Sequence, residues 1–218
     1  MINLVNIGEK NSIFNQFVSE IRDQNIQKDS MRFRRNLERM GEIFAYEISK
    51  TFEYEETAVT TPLGIANVPI LTKQPVISTI LRAGLPFHQG ILNYLDKAEN
   101  AFISSYRRYS KDGSFDIQVE YVSSPSVDNK VLILSDPMLA TGASLVLAYK
   151  AQLQRGVPKH THLVTIIASR EGVDYIQKHI CGDKITLWVG AIDDELTVKS
   201  YIVPGLGDAG DLAFGSKI

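Results

Sequence analysis

The sequence predicts an α/β fold: a central parallel sheet flanked by helices, with N-terminal helices and an irregular C-terminal segment. Three observations carry this. From Pro75 onward, strand-like apolar runs alternate with helix-periodic segments, the rhythm of a parallel sheet with helices on both faces. The run KVLILS is apolar without a break, as in a strand covered on both sides. The last 30 or so residues lose all periodicity and become rich in Gly and Asp, a composition that usually marks a functional or disordered segment.

The elements follow in order. NSIFNQFVSEIRDQ places Ile13, Phe14, Phe17, Val18 and Ile21 on one stripe. SMRFRRNLERMGEIFAYEISKTF repeats the pattern with Phe33, Leu37, Met40, Phe44 and Ile48. Both have the i, i+3, i+4 spacing of amphipathic helices. Arg32, Arg34, Arg35 and Arg39 fall mostly off the second stripe and read as a solvated face. In AVTTPLGIANVPIL, β-branched residues surround PLG, which predicts a hairpin. VISTIL is a strand, RAGLP a loop, FHQGILNYL a helix and NAFISSY a strand. SFDIQVEYV alternates like an exposed hairpin strand. KVLILS is the buried strand. GASLVLAYKAQLQRG is a helix closed by Gly156 with Pro158 beyond. THLVTIIAS, EGVDYIQKHI and KITLWVG complete the set as strand, helix and strand. In the tail, Tyr201, Ile202, Val203 and Phe214 argue for order. The organisation is one domain, with residues 1–74 as N-terminal helices and hairpin, 75–190 as the α/β core and 191–218 as the tail.

Composition narrows the function classes. The 218 residues are 44% hydrophobic and carry a net charge of -2, enough for a real core and without the basic excess of a nucleic-acid or membrane-surface binder. The single cysteine, Cys181, excludes a disulfide framework within the chain and suits a reducing compartment. It is expected to be a partly buried structural thiol. MINLVNIGEKNSIF has no signal pattern, and no apolar run reaches the ~20 residues of a membrane helix. The chain is read as cytoplasmic. His88, His160, His162 and His179 are scattered and read as structural or exposed, with His88 nearest to a candidate loop.

The stretch VLILSDPMLATGASLVLAY holds the clearest chemistry. Ligands of open parallel sheets bind at the carboxyl ends of strands, and VLILSD ends there. The next helix begins near Thr141-Gly142. Its first N–H groups have no intrahelical partner, and with the helix dipole they attract anions. Gly142 and Ala143 permit a phosphate to approach the backbone; Thr141 and Ser144 add hydroxyls. Asp136 repels phosphate, but it can accept hydrogen bonds from sugar hydroxyls or help hold Mg²⁺ and its waters. The loop therefore fits a phosphorylated sugar. A bland reading has Asp136 and Thr141 merely capping and turning the chain. The spacing differs from GxxxxGK[ST], which argues against a nucleoside-triphosphate P-loop.

LILSDPMLATGAS resembles the phosphoribosyl-diphosphate (PRPP) loop of type I phosphoribosyltransferases, and its DPMLATG form is similar to that of the uracil phosphoribosyltransferase family. ILRAG, Ile80 to Gly84, resembles that family's diphosphate loop. YIVPGLGDAGD, Tyr201 to Asp211, resembles its uracil-binding segment. The three stand in the family's order, and the resemblance covers nearly the whole chain. It implies transfer of ribose 5-phosphate from PRPP to N1 of uracil, giving UMP and diphosphate in pyrimidine salvage.

The resemblance also implies site residues. PRPP would be held by Arg82, Arg107, Asp136, Pro137, Met138, Leu139, Ala140, Thr141, Gly142, Ala143, Ser144 and Asp208. Asp136 and Arg107 would be catalytic. Ile202, Gly207, Asp208 and Ala209 would bind uracil, through backbone groups that match its acceptor–donor–acceptor edge. Mg²⁺ is the implied cofactor, with Asp208 near it through water. A homodimer or higher homo-oligomer is implied, and some relatives are activated by GTP. Three departures stand out. Arg108 and Tyr109 replace the family's acids after Arg107, so Arg108 could share the clamp. Ala143 replaces a glycine. Leu212 replaces the arginine common after GDAGD. Three rival readings are a PRPP-fold regulator that senses nucleotides and binds nucleic acid, an enzyme for another base, and a catalytically weakened paralogue.

Overall fold

A computed structural model describes residues 2–109 and 115–216 and, within them, every side chain outside 105–119. The chain opens with a short strand, β1 (Asn3–Asn6), then α1 (Ile13–Arg22) and α2 (Ser30–Ser49). A hairpin follows, β2 (Tyr54–Thr61) and β3 (Gly64–Leu71). The core runs β4 (Val76–Leu81), α3 (Gly84–Tyr94), β5 (Glu99–Tyr109), β6 (Phe115–Ser123), β7 (Val131–Ser135), β8 (Met138–Leu139), α4 (Ala143–Leu153), β9 (His160–Ser169), α5 (Arg170–His179) and β10 (Ile185–Asp193). The tail holds β11 (Glu195–Leu196), β12 (Ile202–Val203) and α6 (Ala209–Phe214).

The large sheet has the order β1-β10-β9-β7-β4-β5-β6, with β8 beside β9. Every pairing is parallel except β5 with β6. The sheet is therefore mixed, and the antiparallel edge is the alternating SFDIQVEYV segment. Edge strand β1 escaped the sequence reading because four residues are too short to show a period.

Burial on both faces explains the apolar runs. In β7, Ile133 enters one core while Leu132 and Leu134 enter the other. The first core lies under α1, α2 and α3, where Phe44 meets Phe14 and Phe87 edge-on, each at 5.5 Å between ring centres. Such contacts add to the burial of the rings. The second core lies under α4 and α5. The predicted stripe of α2 is buried throughout. That of α1 is not: Ile13, at the first helical position, is 62% exposed.

The arginines of α2 do more than face water. Arg32 pairs with Glu20 at 2.9 Å. Arg34 donates to the Ala213 carbonyl at 2.6 Å and lies over the Phe214 ring, so it holds the end of α6. Cys181 is exposed, just after α5; the loop there places it outside both cores. Among the described residues no helix is long and apolar enough to cross a membrane.

Topology positions the site. The connection from β4 to β5 runs through α3 on one face; that from β7 to β9 runs through α4 on the other. The two crossovers part between neighbouring strands β4 and β7. Such a switch point leaves a crevice beyond the carboxyl ends of the strands.

Candidate active site

The crevice is real. A cavity of about 210 Å³ opens there, walled by the loop after β4, the loop after β7, the first turn of α4 and the tail. Each wall is held by specific hydrogen bonds.

After β7 the chain is stitched to β9. The Pro137 carbonyl accepts from the N–H groups of Ile166 and Ile167, at 3.1 and 3.0 Å. Met138 and Leu139 pair with β9 as β8. Ser169 donates to the Ala140 carbonyl at 2.5 Å. These ties hold Thr141 and Gly142 at the mouth of α4. Gly142 has φ +82, a left-handed conformation that costs other residues roughly 1–2 kcal/mol. No side chain caps α4, so its leading N–H groups keep their attraction for an anion.

Asp136 is half-buried at the cavity wall. Its Oδ1 accepts from Met138 N–H at 3.2 Å. Burial pushes its carboxyl up to about 7, and the single N–H only partly opposes that. A group tuned in this way inside a cleft is a functional candidate.

Arg82 follows β4. Its Nη2 donates to Asp211 Oδ1 at 3.0 Å and to the Gly215 carbonyl at 3.1 Å. Its Nε is buried without a partner. The guanidinium thus bridges the β4 loop to α6 through Nη2 alone.

The tail forms the facing wall. Asp208 caps α6, accepting from Asp211 N–H at 3.0 Å. Ile202 and Ala209 are buried, and Gly207 has φ +95 with open space where a side chain would point. Leu212, unexplained in the sequence, packs against the core under α1, α2 and α3.

Most of the residues singled out in the sequence meet here. Arg82, Asp136, Met138, Leu139, Ala140, Thr141, Gly142, Ser144, Ile202, Gly207, Asp208 and Ala209 all line the cavity. Pro137 and Ala143 do not: Pro137 is buried and bound to β9, and Ala143 is the first residue of α4. The side chains of Arg107 and Arg108 lie outside those described, although both residues belong to β5. Ser200, Tyr201 and Gly210 also line the cavity. They lie inside or beside YIVPGLGDAGD, which was the signal that could have found them.

The histidines lie elsewhere. His88 is buried in α3, bound through Nε2 to Asn100 Oδ1 at 2.7 Å, and burial lowers its pKa. His162 accepts from Trp188 Nε1 at 3.0 Å, and burial takes it down to about 3. With His160 it faces a second cavity, of about 360 Å³, at the amino ends of the strands.

The sequence profile described as Uracil phosphoribosyltransferase matches residues 9–216. The chain belongs to the uracil phosphoribosyltransferase family. A uracil phosphoribosyltransferase from Porphyromonas gingivalis (strain ATCC BAA-308 / W83) is 55% identical over 215 residues, 99% of both chains. One from Methanothermobacter thermautotrophicus is 37% identical over 207 residues, 94% of this chain and 93% of its own. Among solved structures, the AQ2163 protein from Aquifex aeolicus superposes with a TM-score of 0.86 at 28% identity over 99% of both chains. A hypoxanthine phosphoribosyltransferase from Staphylococcus aureus gives 0.50 at 15% identity, covering 73% of this chain and 74% of its own. That likeness shows a shared type I fold. The three segments that resemble the family's motifs all contribute to the wall of the cavity.

Proposed function

We propose that the chain transfers the phosphoribosyl group of PRPP to N1 of uracil, releasing diphosphate and giving UMP. One observation carries this reading: a single cavity collects the loop after β4, the uncapped start of α4 with Asp136, and the Ile202–Ala209 segment. Family membership supplies the reaction; the cavity supplies a place for each substrate part.

In this reading the 5-phosphate sits at Thr141, Gly142 and Ser144, against the leading N–H groups of α4. Asp136 accepts hydrogen bonds from the ribose hydroxyls. Arg82 takes the diphosphate through guanidinium N–H groups not engaged by Asp211 and Gly215, and Arg107 shares that task. The bond from C1 to diphosphate breaks as C1 gains oxocarbenium character, N1 of uracil bonds to C1, and the N1 proton passes to the departing diphosphate or to solvent. Arginine charge stabilises the leaving group. Holding N1 in line with C1 supplies proximity. Backbone groups between Ile202 and Ala209 mirror O2, N3–H and O4. Cytosine leaves buried groups unpaired there, at roughly 1–3 kcal/mol each.

Magnesium suits the donor set. Among the described residues no group of three or more His, Cys, Asp or Glu could cage a metal, but Mg²⁺ carried by phosphates needs only one or two carboxylates. Asp136 and Asp208 both line the cavity and would hold it, directly or through water. When bound, it would offset charge on the departing diphosphate.

The β2–β3 hairpin adds a partner. It is exposed along most of both strands and presents Leu63 at 99% and Ile65 at 76% exposure. An exposed apolar arm of this kind marks an interaction surface, and a second copy of the chain is the partner assigned to it.

The deciding assay is UMP formation from uracil, PRPP and Mg²⁺, run beside cytosine, xanthine and hypoxanthine. Product from uracil alone, abolished by chelation of the metal, is the expected result. Folded protein that makes no UMP, or that prefers another base, overturns the reading.

A further inference from the structure

Behind the base-binding segment, out of reach of the cavity, lies an ion pair that the reaction does not use. Arg22 ends α1 and Asp193 ends β10. Arg22 Nη2 donates to Asp193 Oδ1 at 2.7 Å, and Nη1 donates to Oδ2 at 2.8 Å. This is the two-pronged geometry that makes arginine–carboxylate pairs strong and directional. Asp193 is buried, with 7% exposure.

Both partners turn their remaining capacity on one residue. Arg22 Nη1 also donates to the Gly205 carbonyl at 2.9 Å, and Gly205 N–H donates to Asp193 Oδ2 at 2.9 Å. Gly205 is the middle of a tight turn: its φ is +52, and an added Cβ would stand 2.1 Å from the Ile202 carbonyl oxygen. Next to it, the Gln27 amide, oriented so that both its atoms find partners, donates to the Leu206 carbonyl at 2.8 Å. Arg22, Gln27 just beyond α1, and the distant Asp193 thus grip two consecutive residues between Ile202 and Gly207. Neither Arg22 nor Asp193 lines the cavity.

We propose that the Arg22–Asp193 pair is a positioning device that sets the uracil-reading backbone. It rests on the assignment of Ile202 to Ala209 to the base. Recognition of a nucleobase edge by backbone groups tolerates errors of only about 0.5 Å. Between β12 and α6 no ladder or helix supplies that precision, and the pair supplies it from outside. The phosphate loop is held independently, through Pro137 and Ser169 to β9. Loosening the pair therefore disturbs one substrate and spares the other.

The test is steady-state kinetics on Arg22→Lys and Asp193→Asn, with each substrate varied in turn and thermal melting run alongside. Arg22→Lys keeps the charge and loses the fork, so it preserves the fold. The expected result is a KM for uracil raised about 10-fold or more, in line with the cost of a misplacement near 1 Å. The KM for PRPP stays within about twofold, because the β9 anchors are intact. Discrimination against cytosine falls in parallel. Equal loss of both substrates, from misfolding or otherwise, overturns the proposal, as does an unchanged KM for uracil. Wild-type protein that does not use uracil at all overturns the base assignment instead, which separates the two failures.

Discussion

Asp136 shows how one side chain links stability to chemistry. Its pKa of about 7 lies above the ~3.9 of an unfolded aspartate. The folded state therefore holds the proton more tightly. The stability this contributes is complete below about pH 4 and is lost as pH rises through about 7. Asp136→Asn removes the titration. Its melting temperature is expected to stay nearly flat between about pH 5 and about pH 8, while the wild type falls over the same window. Turnover should drop roughly 100-fold, the scale for losing one stabilising contact to the reacting group. Wild-type rates in this variant would remove Asp136 from the site. The residue was legible in the sequence because an acid between a buried strand and a glycine-led helix is a local pattern. Its raised pKa was not legible, since burial comes from loops that arrive from other parts of the chain. The same holds for Arg82, whose type and place could be read from ILRAG but whose contact with Asp211 spans 129 positions.

At the scale of elements, the start of α4 carries the phosphate reading. Gly142→Ala keeps the helix but forces a side chain into φ +82, with its Cβ 3.0 Å from the Gly172 carbonyl oxygen. Strain of about 1–2 kcal/mol corresponds to a rise of roughly 5- to 30-fold in the KM for PRPP, with a smaller change for uracil. Equal effects on both substrates would place the damage in the fold. Helix periods were read correctly for α2 and less well at the first turn of α1, where Ile13 meets solvent. The solvated face assigned to α2 is partly a bracket for α6, through Arg34. Periodicity reports that a face is polar; it does not report what arrives to meet it.

At the scale of the molecule, the switch point between β4 and β7 makes one cavity from three distant motifs, and the hairpin carries apolar side chains into solvent. Replacing Leu63 and Ile65 by lysine is expected to leave the circular dichroism unchanged and to reduce the mass in light scattering to that of one chain. An unchanged assembly would show that the arm is not the interface. By itself the sequence determined the order and type of the main elements, the α/β class and the chemistry of three loops. Those depend on periods and motifs that span fewer than about 20 residues. Tertiary structure alone decided that Pro137 and Ala143 are not part of the cavity lining, that Leu212 packs against a core, and that Arg22 grips Gly205 from 183 positions away. Such contacts follow from chain topology, which brings distant residues together and leaves no periodic trace along the chain.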